Sequence, residues 1–276
     1  MSSSSASISG TASILERIFA AKRGEVEAER ASVTFEAVRD AARRAPAPRD
    51  FAAELRRRRP AIVAEIKRAS PSKGDILAGL DPVTVARDYA DSGAAAISVL
   101  TDRHFKGSLQ DLEAVRSAVD LPLLRKDFFF DRYQVYQARA AGADCILLIA
   151  AMLAKEDLAL LTGCARETGL QALVEVHNEA EMRTAIEVGA EIIGINNRDL
   201  HTFATDIATT ERLLEGYRGN ALIVAESGIE TPDDIRRLDR AGARAFLIGE
   251  SLLRGGNPRG KLRSLRAALA DAESGS

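Results

Sequence analysis

Charged or polar side chains interrupt apolar runs at five places in the chain. In "AIVAEIKRASPSKGD", Ala61 to Asp75, Glu65 and Lys67 sit in or just beyond a stretch that otherwise reads as a buried strand. Lys126 ends "LPLLRKDF", Glu175 lies inside "ALVEVHN", Asn196 ends "IIGINNRDL", and Glu226 and Ser227 end "LIVAESG". A lysine beside carboxylates keeps its proton and can donate it at the right moment, and a fixed carboxylate can take one up. Burying three carboxylates and two lysines costs free energy that folding alone would not repay, so a site explains them better than ion pairs plugging a core.

To bring these groups together, the elements must converge. Short apolar runs alternate with amphipathic segments after Pro60. Strands are expected at Ile62–Ile66, Ala95–Leu100, Leu123–Lys126, Cys145–Ile149, Ala172–Val176, Ile192–Asn196, Leu222–Ala225 and Ala245–Ile248, recurring roughly every 20 to 33 residues. Asp81-Pro82 and Thr231-Pro232 pair an N-cap with a proline at the first helical position. Gly93, Gly142, Gly189 and Gly242 each stand just before a strand, where a left-handed helix end is expected.

Near-continuous apolar strands alternating with helices imply a parallel sheet. Eight such units fit a closed (β/α)₈ TIM barrel better than an open sheet, which would carry a glycine-rich phosphate turn after its first strand. Side chains two apart in a barrel strand share a face, so Glu65 and Lys67 point inward while Ala64 and Ile66 meet the helices. Residues 13–276 therefore read as a single barrel domain. Within it, residues 13–59 form an N-terminal helical extension, helical from Ile14 to about Ala45. Residues 1–12, "MSSSSASISGTA", read as a disordered leader without the features of a secretory signal.

The bulk properties exclude several classes. The chain has 276 residues, 46% hydrophobic and 28% charged, with a formal net charge of -2. That balance gives no support for a nucleic-acid binder, and no apolar run is long enough for a membrane span. Cys145 and Cys164 make neither a disulfide framework nor a metal spacing, as expected of a cytoplasmic protein. "RRRRP", Arg56 to Pro60, reads as a solvated helix end. The histidines His104, His177 and His201 lack metal-ligand spacing; His177 sits near Glu175 and could line the rim.

A second signal lies in the last two strands. "AESGI" and "LIGES" each place glycine where a strand turns into its loop. In barrels of this kind the loops after strands seven and eight often cradle a phosphate with backbone N–H groups. Ser227, Gly228, Gly249 and Glu250 occupy those places, Glu250 through its backbone.

Taken in order, "EIKRASPSKGD" from Glu65, "LTDRHFKGSLQDL" from Leu100, "LLRKDFFFD" from Leu123, "LVEVHN" from Leu173, "IGINNRDL" from Ile193, "AESGI" from Ala225 and "FLIGESLL" from Phe246 closely resemble indole-3-glycerol phosphate synthases, from about Ile14 to about Ala270. The resemblance implies ring closure of 1-(2-carboxyphenylamino)-1-deoxyribulose 5-phosphate with loss of carbon dioxide and water, in tryptophan biosynthesis, without cofactor or metal. It implies Lys126 as general acid and Glu175 as base. Lys67 would donate a proton in dehydration or bind phosphate, and Glu65 would orient both lysines. Ser70, Asn196 and Arg198 would lie around the substrate carboxylate and hydroxyls, with Glu226 a further hydroxyl contact. Ser227, Gly228, Gly249 and Glu250 would hold the phosphate. One ring of Phe128 to Phe130 could stack on the aromatic moiety, and "RASPSKGDILAGL" would be a lid. The expected partner is this small sugar phosphate, with a monomer favoured. The alternatives are a related phosphate-binding barrel isomerase, such as phosphoribosylanthranilate isomerase, and a non-catalytic metabolite-binding barrel; Lys126 and the two acid–base pairs argue against each.

Overall fold

The computed structural model describes residues 14–70, 74–75, 79–200 and 202–272. Eight parallel strands close into a barrel: β1 (Ala61–Ile66), β2 (Ala96–Leu100), β3 (Leu123–Lys126), β4 (Cys145–Ile149), β5 (Gln171–Val176), β6 (Ile192–Asn196), β7 (Leu222–Glu226) and β8 (Ala245–Ile248). Each strand pairs with the next, and β8 returns to β1. Every expected strand is present, with ends displaced by at most one residue.

The alternation along β1 falls as its sequence requires. Ile62, Ala64 and Ile66 pack in the layer between sheet and helices, while Ala61 and Val63 belong to the barrel interior. Helices follow the strands: α4 (Pro82–Asp91), α5 (Leu109–Ala118), α6 (Arg132–Ala140), α7 (Lys155–Glu167), α8 (Glu179–Glu187), α9 (Ala208–Leu214), α10 (Pro232–Ala241), the short α11 (Glu250–Leu253) and α12 (Pro258–Arg266), with three further helices ahead of the first strand. Asp81 accepts from the N–H groups of Val83 and Thr84, and Thr231 forms a reciprocal cap with Asp234. The four glycines ahead of strands all take positive φ.

The N-terminal extension runs the length of the barrel. Its helical stretch comprises two helices, α1 (Ile14–Ser32) and α2 (Phe35–Arg44), separated where Thr34 turns extended and caps α2 by accepting from Ala37 N. A third helix, α3 (Phe51–Arg57), closes the end where the strands begin: Phe51, Ala52 and Leu55 join Ala61, Ala95 and Ala245 in the inner core. Ala52 N donates to Gln171 Oε1 at 2.8 Å, which fastens this plug to β5. Helix α2 packs along α6, with the Phe35 and Tyr136 rings edge to face at 5.2 Å. Helix α1 carries Ile18 and Phe19 to the opposite end, against Phe128 and Phe105.

Arg57 and Arg58 pair with Glu54, and Arg59 with Asp239, so the arginine run is a helix end tied to its surroundings. Between β1 and α4, Ala69–Ser70 pairs with Gly74–Asp75 in a small antiparallel ribbon. The leader, His201 and part of the expected lid (71–73 and 76–78) lie outside the described residues. Among the described residues, no helix is long and apolar enough to cross a membrane.

Candidate active site

Parallel register brings the charged strand ends to neighbouring levels. Glu65 pairs in register with Ser98, Lys126 with Leu100, Glu175 with Ile149 and Gly194, and Glu226 with Asn196. Across the interior their side chains meet at one ammonium. Lys126 Nζ lies 2.8 Å from Glu226 Oε2, 3.5 Å from Glu65 Oε2 and 3.8 Å from Glu175 Oε2. Lys67 Nζ lies 2.9 Å from the other oxygen of Glu65, so Glu65 bridges the two lysines. The space is provided partly by glycine. A methyl group at Gly194 would collide with Glu226 Oε1, and one at Gly249 with Glu65 Oε1.

Burial sets the electrostatics. Desolvation alone would strip Lys126 of its charge, but Glu226, Glu65 and Glu175 outweigh it and hold the amine above its usual range. Burial likewise raises Glu65, and the two lysines overcome it, leaving its carboxyl below the ordinary value. Glu175 is drawn down to about 2 against the burial penalty by His177, Lys126 and a hydrogen bond from Asn196. Glu226 goes the other way. Burial pushes it up to about 7, repulsion from Glu175 and Glu65 adds to this, and Lys126 offsets only part. Its Oε1 is buried and has no hydrogen-bond partner among the described residues.

These groups face a cavity of about 410 Å³ at the ends of the strands, a size suited to a small organic phosphate. Glu65, Lys67, Lys126, Glu175, Asn196, Arg198, Ser227, Gly228, Gly249 and Glu250 all line it, and the structure thus gathers nearly every expected site residue. Glu226 is the exception in kind: it is 1% exposed and lies behind the wall, in contact with Lys126 rather than with the open space. Ser70 ends the first ribbon strand, and its side chain lies outside the described residues.

The far rim is shaped by backbone. Ser227 and Gly228 follow β7 with φ of 63° and 76°, two successive left-handed residues that turn the chain sharply. Ser227 can hold this conformation because its Oγ donates to Asn196 Oδ1 at 2.8 Å and its carbonyl accepts from Asn197 Nδ2 at 3.1 Å. A side chain at Gly228 would strike Thr205 Cγ2. Arg198 N donates to Asn196 Oδ1 at 3.0 Å, and the Arg198 guanidinium lies 3.9 Å from Glu250 Oε2. Arg254 also pairs with Glu250, so this carboxylate is engaged by guanidinium groups at the rim.

Three residues, Ile18, Phe105 and Lys22, escaped the sequence reading. Ile18 from α1 and Phe105 from the β2–α5 loop form apolar wall beside Phe128. Lys22, also on α1, is buried between Asp102 at 2.6 Å and Asp127 at 2.9 Å, and Asp127 is the residue after Lys126. His177, which the sequence places near Glu175, lies 3.3 Å from it. Ile18 and Lys22 obey ordinary helical spacing, and nothing local marks which face of α1 meets the barrel. Among the described residues, Glu25, Asp102 and His104 are the one trio with metal-ligand proximity, and Lys22 and Arg103 supply its counter-charge.

The fold and site define a (β/α)₈ barrel whose strand ends converge on a cavity equipped for acid–base chemistry. Solved structures of the same architecture include a thiamine phosphate pyrophosphorylase from Pyrococcus furiosus (TM-score 0.59, 17% identity, covering 79% of this chain and 98% of that one). Another is a 3-hexulose-6-phosphate synthase from Salmonella typhimurium (TM-score 0.62, 14% identity, 76% and 99%). At such identities they show the fold alone. The family model for indole-3-glycerol phosphate synthase matches residues 15–265. Curated relatives of that name include one from Roseiflexus sp. (strain RS-1), 51% identical over 91% of this chain and 97% of its own length, and one from Mycolicibacterium vanbaalenii, 45% identical over 95% and 96%. The chain belongs to the indole-3-glycerol phosphate synthase family.

Proposed function

We infer that this enzyme, a carboxy-lyase of tryptophan biosynthesis, closes 1-(2-carboxyphenylamino)-1-deoxyribulose 5-phosphate to indole-3-glycerol phosphate with the residues gathered at the barrel mouth. The observation that carries the assignment of roles is Lys126, a buried ammonium held among three carboxylates and opening on the cavity.

The aromatic carbon bearing the substrate carboxylate attacks the ketone, forming the new carbon–carbon bond. As the ketone oxygen gains negative charge, Lys126 gives it a proton. Carbon dioxide then departs and its bonding electrons restore the ring. Loss of the hydroxyl as water requires a second proton at that oxygen and removal of one from the ring nitrogen side. Glu175, ionised through the neutral range, is the base. Lys67 stands near enough to Glu65 to serve as the second donor or to meet the phosphate, and Glu65 orients both lysines.

The anionic ends of the substrate set the remaining roles. Ser70, Asn196 and Arg198 take the carboxylate and the ribulose hydroxyls. Ser227, Gly228, Gly249 and Glu250 cradle the phosphate through backbone groups. Ile18, Phe105 and Phe128 offer the aromatic ring an apolar wall. Glu226 acts from behind by holding Lys126. Both cysteines are free thiols, which fits the reducing cytoplasm.

Indole fluorescence on addition of the carboxyphenylamino ribulose phosphate tests this reading. Lys126→Ala should lower kcat by about 10²- to 10⁴-fold while KM stays within about tenfold, because the lost help belongs to the transition state. Turnover at the unmodified rate in that variant would reject Lys126 as the acid.

A further inference from the structure

His177 follows β5 two residues after Glu175, and its ring stands between two carboxylates. Nε2 is 3.3 Å from Glu175 Oε1 and Nδ1 is 3.0 Å from Glu181 Oε2 on α8. The same Glu181 oxygen accepts from the His177 backbone N–H at 2.8 Å. Its partner oxygen accepts from Asn178 Nδ2 at 2.5 Å, while Asn178 caps α8 by accepting from Glu181 N at 3.0 Å. Glu181 is therefore clamped at the helix start, and the imidazole side chain, only 11% exposed, is clamped by Glu181. The Nδ1 contact is a hydrogen bond, whereas Nε2 is buried within ion-pair distance of Glu175 without an aligned hydrogen bond, so a charged ring attracts both carboxylates at once where a neutral one would serve Glu181 alone.

We propose that His177 is a positioning residue for the reaction: an imidazolium fixed by Glu181 that keeps the carboxylate of Glu175 ionised and aimed at the cavity. This rests on the proposed role of Glu175 as base. Other charged groups face the pair from every side. Lys126 from β3 meets Glu175, with Glu65 and Glu226 around the same ammonium. On the outer side Glu179, Arg183 and Arg212 line a shallow cleft with His177. Within this setting the ring resists deprotonation: burial lowers its affinity for the proton, but Glu175 and Glu181 raise it to about 10. The charge is thus present across the neutral range, where Lys126 alone would be shared among three carboxylates.

The chain has three histidines, so the imidazole nitrogens of ¹⁵N-histidine-labelled full-length protein can be followed one by one, and the signal missing from His177→Gln identifies His177. His177 should remain an imidazolium from pH 6 to 8, and Glu181→Gln should lower its pKa. In steady-state kinetics His177→Gln should lose about tenfold in kcat near neutrality with KM within about threefold, and the ratio of variant to parent kcat should fall at least about threefold further toward pH 5.5. Taking the ratio removes the titrations of substrate and of Glu226 shared by both proteins. A neutral His177 at pH 7, or a ratio that does not change with pH, overturns the proposal. If His177→Gln does not fold, the Glu181→Gln ratio and the parent spectrum carry the same decision. Parent enzyme and Lys126→Ala run alongside: failure of the parent to turn over substrate would strike the functional reading itself, whereas a normal parent with an indifferent His177 strikes only this inference.

Discussion

Glu175 and Glu226 approach the same ammonium from β5 and β7, yet one sits at about 2 and the other at about 7. The difference lies in their second neighbours. Glu175 has His177 behind it, while the second oxygen of Glu226 faces apolar surroundings and the space above Gly194. A carboxyl raised on folding binds protons more tightly in the native state, so it costs nothing below the unfolded value near 4.5. Its penalty grows as pH rises toward 7 and is complete above that. Glu226→Gln removes this penalty. The stability of the variant relative to the parent should rise as pH goes from about 4.5 to above 7, read by urea unfolding at each pH, and the variant should lose activity because Lys126 loses its nearest carboxylate. A gain independent of pH would contradict the account. The inward direction of Glu65 was legible from strand parity, and the convergence of Lys126, Glu175 and Glu226 from their places in apolar strands of one barrel. Which carboxylate keeps its proton was not, since that depends on what stands across the barrel, and residue spacing along one strand carries no such information.

At the scale of elements, the strands and most helix ends were readable because apolar runs, N-cap residues and glycines are local signals. The docking of α1 was not. Lys22 occurs within the charged helical stretch "AAKRGEVEAER", and in the structure it is 5% exposed. It meets Glu25 at 2.9 Å on its own helix and reaches Asp102 and Asp127 beyond β2 and β3. Asp127 also accepts from Arg125 Nη2 at 2.9 Å and Thr101 Oγ1 at 2.6 Å, so one network joins α1 to the loop that begins at Lys126. Lys22→Met keeps the aliphatic stem and leaves buried carboxylates short of a counter-charge. It should cost about 3 kcal/mol or more in stability and should also lower kcat, because Ile18 and Phe128 shift with the loop. Urea titration together with initial rates under folding conditions checks both effects. A stability loss with unaltered kcat would confine α1 to a structural role.

Over the whole molecule, the two ends of the barrel divide the work. The end where strands finish holds the charges, the cavity and the left-handed turn at Ser227 and Gly228, none of which favours stability. The end where strands begin is sealed by α3, whose Phe51 is fully buried among Ala61, Ala95 and Ala245. Between them the barrel interior is filled by apolar residues such as Val63, Leu124, Leu147, Leu173, Val224 and Leu247, a packed layer that separates plug from site. Truncating Phe51 to alanine removes the ring from that seal and opens a void, which costs about 3–5 kcal/mol in cores of this density. The disturbance should stop at the packed layer, because Lys126, Glu175 and Glu65 are held from strand ends that Phe51 does not touch. Phe51→Ala is therefore expected to unfold at lower urea concentration while kcat and KM, measured well inside the folded baseline, remain within about twofold of the parent. If KM instead rises in step with the stability loss, the seal and the mouth are mechanically continuous, and the separation of stability from chemistry along the barrel axis fails.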